Sequence, residues 1–142
     1  MLDNKKRVYR RWLKSPYGVV VILGSLLIIT AAACIYPLPP TQVSPPDGSV
    51  FNHFPRTTPL EWQALIGAVA YRVEVDCFHC CQSGQWCTDV GRTWFETTTT
   101  NTTFTHTFVG AQPGRWRVSG INGQGQEGNR SGWWGFTYTV AD

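Results

Sequence analysis

From residue 37 to residue 142 the chain contains no lysine, and before residue 37 it contains a single acid, Asp3. The first 36 residues hold Lys5, Lys6, Arg7, Arg10, Arg11 and Lys14 and so carry +5, whereas the remainder holds six arginines against eight acids and carries −2. The overall +3 therefore describes a basic tail and not a basic folded module. Nucleic-acid binding needs a basic face on the folded part, so that class is excluded. Helical periodicity is also missing after residue 37, which argues against a helical domain. No Ser, His and Asp set stands out, and His53, His79 and His106 are scattered. His106 shares its face with Phe104 and Phe108 and reads as a packed core histidine. Glu74 and Asp76 fall on one side of a strand beside Arg72 and read as a solvated face. No catalytic residue, cofactor or small-molecule substrate is expected, and the chain is read as not an enzyme.

A charge is equally absent from Gly18 to Tyr36, a run of 19 residues. As a helix it would reach roughly 28 Å, close to the hydrocarbon thickness of a bilayer. A buried soluble helix would show a polar stripe, and only Ser25 and Thr30 are available for one. Trp12 and Tyr17 flank one end and Tyr36 the other, where amphipathic rings favour the interface. The expected organisation is a basic cytoplasmic tail at 1–17 and a transmembrane helix at 18–36, with the rest periplasmic or extracellular. Lipid headgroups are partners for the tail. Gly18, Ser25 and Ala32 recur at seven-residue spacing and would let another helix pack closely. A second reading of these residues is a lipoprotein signal ending Ala31-Ala32-Ala33-Cys34, with Cys34 lipidated. That signal prefers a larger aliphatic residue where Ala31 stands, so the retained helix is preferred.

Residues 37–48 are rich in proline and form a semi-rigid linker and lead-in to a domain spanning 43–142. Within it, apolar and polar residues alternate with turn signals between the runs, the pattern of an antiparallel sheet. The apolar sides are Leu60 and Trp62; Tyr71, Val73 and Val75; Phe104, His106 and Phe108; Trp116 and Val118; and Trp134, Phe136, Tyr138 and Val140. Two sheets facing each other would bury them.

Ser44-Pro45-Pro46-Asp47-Gly48, Leu60-Glu61-Trp62 and Gly67-Ala68-Val69-Ala70-Tyr71-Arg72-Val73-Glu74-Val75 resemble a fibronectin type III domain of the bacterial kind. Pro113-Gly114-Arg115-Trp116-Arg117-Val118, Asn122 and Ser131-Gly132-Trp133-Trp134-Gly135-Phe136 continue the likeness. The resemblance implies an all-β, seven-stranded antiparallel β-sandwich used for spacing or binding, and it implies no reaction. Two features depart from it. Gly114 stands about where a tyrosine is usual near the start of the sixth strand, and the segment 77–95 is longer and richer in cysteine.

Cys77, Cys80, Cys81 and Cys87 admit three readings. An even count outside the cytoplasm favours structural disulfides. A metal site with His79 is the second reading, although a lone C-x-x-C without a second pair is a weak metal signal. Redox-active thiols are the third. A Cys77–Cys87 bridge across the loop is geometrically attractive, but it leaves Cys80 and Cys81 as strained neighbours. Gly123-Gln-Gly125-Gln-Glu-Gly128 matches a phosphate-loop pattern in letters but has no helix after it, so it reads as a turn. Arg72, Arg115, Arg117 and Trp133 should share an outward sheet face and supply residue types enriched at binding hot spots. The same groups could stack internally as a cation–π ladder. The function expected is a non-catalytic accessory or interaction subunit of a membrane protein assembly. One alternative is a surface module for carbohydrate or another protein, with Trp86, Trp94 and Trp133 as a platform. The other is a thiol or metal protein using the Cys77–Cys87 loop.

Overall fold

A computed structural model describes residues 38–140. The basic tail, the apolar segment 18–36 with Gly18, Ser25 and Ala32, and Cys34 lie outside the described residues. Among the described residues no helix is long and apolar enough to cross a membrane.

The described chain is all-β. Nine strands occur in the order β1 (Gln42–Ser44), β2 (Ser49–Phe51), β3 (Thr57–Trp62), β4 (Ala68–Cys77), β5 (Phe95–Thr99), β6 (Thr103–Thr107), β7 (Pro113–Asn122), β8 (Glu127–Arg130) and β9 (Trp134–Tyr138). One sheet runs β1-β3-β6, and the other runs β2-β9-β7-β4-β5 with β8 also on β7. This is a two-sheet β-sandwich.

The seven expected strands become nine because the first and last are interrupted. Pro45 and Pro46 lack the N–H that a continuous ladder needs. The chain therefore leaves the small sheet after β1 and joins the large one as β2. Asp47 fastens this crossing, its Oδ1 accepting the Gly135 N–H at 2.6 Å while the Gly48 N–H donates to the Gly135 carbonyl at 2.8 Å. β2 runs parallel to β9, so the sandwich is not wholly antiparallel. At the other end, β8 and β9 follow the same edge of β7, opposing Ser119–Ile121 and Pro113–Trp116 respectively. Arg130 and Trp134 are four positions apart while their partners Ser119 and Trp116 are three apart. The extra residue makes a bulge, which re-aims side chains. Ser131 holds it, donating its N–H to the Val118 carbonyl at 2.8 Å while its Oγ accepts the Val118 N–H at 3.0 Å.

Leu60, Trp62, Tyr71, Val73, Val75, Phe108, Trp116, Val118, Phe136 and Tyr138 are buried between the sheets. Val140 is a correction: β9 ends at Tyr138, and Val140 is exposed. His106 lies in the core, with its ring 4.7 Å from that of Phe95. Burial lowers its pKa to about 4. The corner that lacks the usual tyrosine is filled from across the sheet. Gly114 leaves space for Phe136 and Phe108, whose ring atoms would clash with a Cβ there. At the β3–β4 turn, Tyr71 Oη accepts the Leu65 N–H at 2.9 Å.

Gly114→Ala should destabilise the domain by about 1–3 kcal/mol through overpacking. Gly123→Ala, where a Cβ meets nothing within 4 Å, should be nearly neutral. Urea unfolding of the two variants checks the difference.

A second expectation concerns pH. The unfolded chain protonates His106 near 6.5 and the folded chain only near 4. Its neutral burial therefore contributes fully above pH 6.5, and that contribution is lost as pH falls from there towards 4. His106→Gln should flatten this part of the stability profile by about 1–3 kcal/mol, read as the wild-type minus variant difference in urea midpoints.

Candidate interaction face and disulfide loop

β4 has apolar residues on its inner side and Arg72, Glu74 and Asp76 on its outer side, as a period of two requires. The outer side is not a solvated face. Glu74 is only 7% exposed and Asp76 is not exposed at all. Side chains from β7 and the loop after β4 cover them.

That loop is a small hairpin followed by one turn of 3-10 helix. Phe78 and Trp86 form an isolated antiparallel bridge, and the Cys87 N–H donates to the Cys77 carbonyl at 3.2 Å. The tip turns through His79 and Gly84, both at positive φ, with the Gly84 N–H donating to His79 Nδ1 at 2.7 Å. The 3-10 turn Thr88–Val90 ends on Gly91 in the left-handed conformation, which glycine adopts without penalty. Disulfides join Cys77 to Cys80 and Cys81 to Cys87. The Cys77–Cys87 pairing is thereby replaced. Those two residues do face each other, but through their backbones, and each sulfur turns to a partner nearer in sequence. Gln112 Nε2 lies 3.1 Å from Cys77 Sγ and 3.0 Å from Cys80 Sγ.

Asp76 joins the loop to the sheet. Its Oδ1 accepts the Cys77 N–H at 2.9 Å and the Thr88 N–H at 3.3 Å. Its Oδ2 accepts from Thr88 Oγ1 at 2.6 Å and from Arg115 Nε at 3.0 Å. The Arg115 guanidinium also reaches Asp89 Oδ1 at 3.2 Å. It lies 4.2 Å from the Trp86 ring centroid and 4.7 Å from that of Trp133, and Arg117 lies 4.2 Å from Trp133. Trp86, Arg115, Trp133 and Arg117 thus form one cation–π ladder.

The ladder continues into an ion-pair network. Arg117 Nε donates to Glu74 Oε2 at 2.6 Å, and Arg130 Nη1 approaches Glu74 Oε1 at 3.1 Å. Arg72 pairs with Glu96 at 3.3 Å and with Glu127 at 3.1 Å. Partial burial pushes the Glu127 carboxyl up, but the Ser119 hydrogen bond and the charges of Arg72 and Arg130 outweigh it, so its pKa lies below the usual range. The structure places Arg72, Arg115, Arg117 and Trp133 on this one face. Arg130, Glu127, Trp86, Thr88 and Asp89 also belong to it. Strict alternation would set Glu127 and Arg130 on opposite sides of β8, and a register shift within that pairing brings them to one face. Of the loop residues, Trp86 was expected beside Trp133, whereas Thr88 and Asp89 carried no local signal. Trp94 is partly buried against the core and so does not join an exposed platform with Trp86 and Trp133. The glycine-rich segment is the β7–β8 hairpin turn, where Asn122 Oδ1 accepts the Gln124 and Gln126 N–H groups.

The pairing can be checked by alkylating single variants of the full chain under non-reducing conditions. Cys77→Ser should free Cys80, and Cys81→Ser should free Cys87, in peptide mass spectra. Alkylated Cys87 in the Cys77 variant would restore the bridge across the loop.

No protein-family model matches the chain, and no curated protein matches it. Among solved structures, the crystal structure of a Fn3-like protein from Clostridium thermocellum is 23% identical, covering 75% of this chain and 98% of its own, with a TM-score of 0.49.

Proposed function

We propose that the chain is a non-catalytic, single-pass membrane subunit whose sandwich binds the extracytoplasmic part of a partner protein in a membrane assembly. The observation that carries this reading is the ladder. Arg and Trp side chains are the types most often found at binding hot spots. Here they are held in place by stacking and ion pairs before any partner arrives, which lowers the entropy lost on binding. Four to six arginine and aromatic groups pre-ordered on one sheet face suit a protein surface of mixed charge.

A carbohydrate platform is the second reading, and the same geometry favours it less. A sugar would need a bare indole face. The Trp133 ring already meets two guanidinium groups and the Trp86 ring one, while Trp94 packs inward. The thiol or metal reading loses support because sulfurs paired as disulfides offer no thiolate.

The test is co-purification of the full chain from gentle detergent, with Trp133→Ala beside wild type. The variant should keep a cooperative melting transition and lose its partner, a hot-spot truncation costing about 2 kcal/mol or more. If it melts as an unfolded chain, Arg72→Ala, whose side chain is 34% exposed, takes its place. Undiminished association in a folded Trp133→Ala protein would remove this face from the proposal.

A further inference from the structure

The end of the sandwich where the chain enters β1 combines exposed aliphatic side chains with an absence of charge. The Gln63 N–H donates to the Thr41 carbonyl at 2.9 Å, so the β3–β4 connection lies beside the entering chain. That connection is a tight turn, with the Ala68 N–H donating to the Leu65 carbonyl at 3.1 Å and Gly67 at a φ of +87°. A turn with glycine at positive φ in its third position places Ile66 at the second, a site that accepts most residues. Leu65 packs against the core. Ile66 is 99% exposed, and Leu38 and Val69, at the same end, are 72% and 59% exposed. Turn geometry does not require an isoleucine there, and the domain does not bury it.

The same end is uncharged. The pairings of Tyr71 with Thr99 and of Ala68 with Asn122 bring the β5–β6 and β7–β8 connections alongside the Ile66 turn. Residues 38–41, 63–69, 99–103 and 121–126 include no Asp, Glu, Lys or Arg. The acids that adjoin these segments in sequence are Glu61, which is exposed, and Glu127, which is paired with Arg72 and Arg130. A net-negative domain thus keeps this end clear of carboxylates that anionic headgroups would repel. The connection to the apolar run is also short. Tyr36 and Thr41 are five positions apart, a reach of at most about 18 Å.

We propose that this end rests on the bilayer surface, with Ile66 and Leu38 set among the lipid headgroups. The inference rests on the reading that residues 18–36 cross the membrane. Exposed aliphatic groups gain by leaving water for the interface, and an uncharged surround lets them approach. Contact at both the entering chain and the β3–β4 turn fixes the tilt of the domain, which a tether alone leaves free.

The experiment uses the full chain carrying Cys34→Ser in phosphatidylcholine–phosphatidylglycerol vesicles. An environment-sensitive fluorophore is placed at Ile66→Cys or, at the opposite end, at Val109→Cys. The label at 66 should shift to the blue and be quenched about twofold by doxyl lipids, with the label at 109 unaffected. Alkaline washing of the same vesicles separates the two readings. Protein that stays embedded while its label at 66 goes unquenched overturns the headgroup contact and spares the anchor. Protein that washes off removes both. A label at 66 shielded from aqueous iodide yet untouched by doxyl lipid means that a second copy or a partner covers the turn, and this too overturns the proposal.

Discussion

Asp76 is a carboxylate without any exposure to water, and the outer half of this domain is arranged around its needs. Removing such a charge from water is costly unless it is paired and every lone pair finds a donor. Here the donors come from three places: its own strand through Cys77, the adjacent strand β7 through Arg115, and the loop through Thr88. The last of these is decisive. The 3-10 turn must be where it is for the carboxylate to be satisfied, so the charge determines where a segment of some seventeen residues lies across the sheet (Phe78–Trp94). The two disulfides are local to that segment and shape it. Cys77–Cys80 ties the start of the segment to the end of β4, and Asp76 holds the 3-10 turn over the sheet.

Arg115 links this buried centre to the surface. One edge of its guanidinium is spent on Asp76 and Asp89, and its flat sides are spent on Trp86 and Trp133. Lysine could not perform both tasks, because an ammonium has neither the planar faces nor the fork of donors. From Trp133 the order passes to Arg117, then through Glu74 to Arg130 and Glu127, and so to Arg72. Individual exposed ion pairs contribute little. A chain of them anchored on a buried acid at one end is different in kind, because each member restricts the rotamers of the next. A firm, half-exposed surface of arginine and tryptophan results.

Trp133 and Trp134 show how one bulge divides adjacent residues between two roles. In an unbroken strand they would already face opposite ways. The extra residue held by Ser131 moves Trp133 off the ladder to lie over Arg115 and Arg117, while Trp134 resumes pairing with Trp116 and packs its ring edgewise on it. The break between β1 and β2 works similarly at the other edge, where two prolines and Asp47 let one short segment serve both sheets.

Much of the sandwich was legible in the sequence because a half-buried strand leaves a period-two trace that needs no knowledge of partners. Leu60 and Trp62, the Tyr71–Val75 series, and Trp116 with Val118 are inward for that reason alone. Alternation states only that Glu74 and Asp76 lie opposite those residues. Whether that opposite side meets water depends on what a loop does many residues later, and so the acids looked solvated and are buried. Strand number was overrun for a similar reason, since interruptions at Pro45 and Ser131 depend on which sheet edge each piece finds. The even cysteine count, with a non-cytoplasmic location expected, pointed to disulfides, but pairing is a matter of where sulfurs end up in space. The hairpin between Phe78 and Trp86 brings Cys77 and Cys87 together through their backbones and sends their side chains apart. What the sequence determined by itself are the elements and their inward faces, through local periodicity. Only the tertiary structure decided the coverage of the outer face, the disulfide pairs and the ladder, because each depends on contacts between residues that sequence spacing does not bring together.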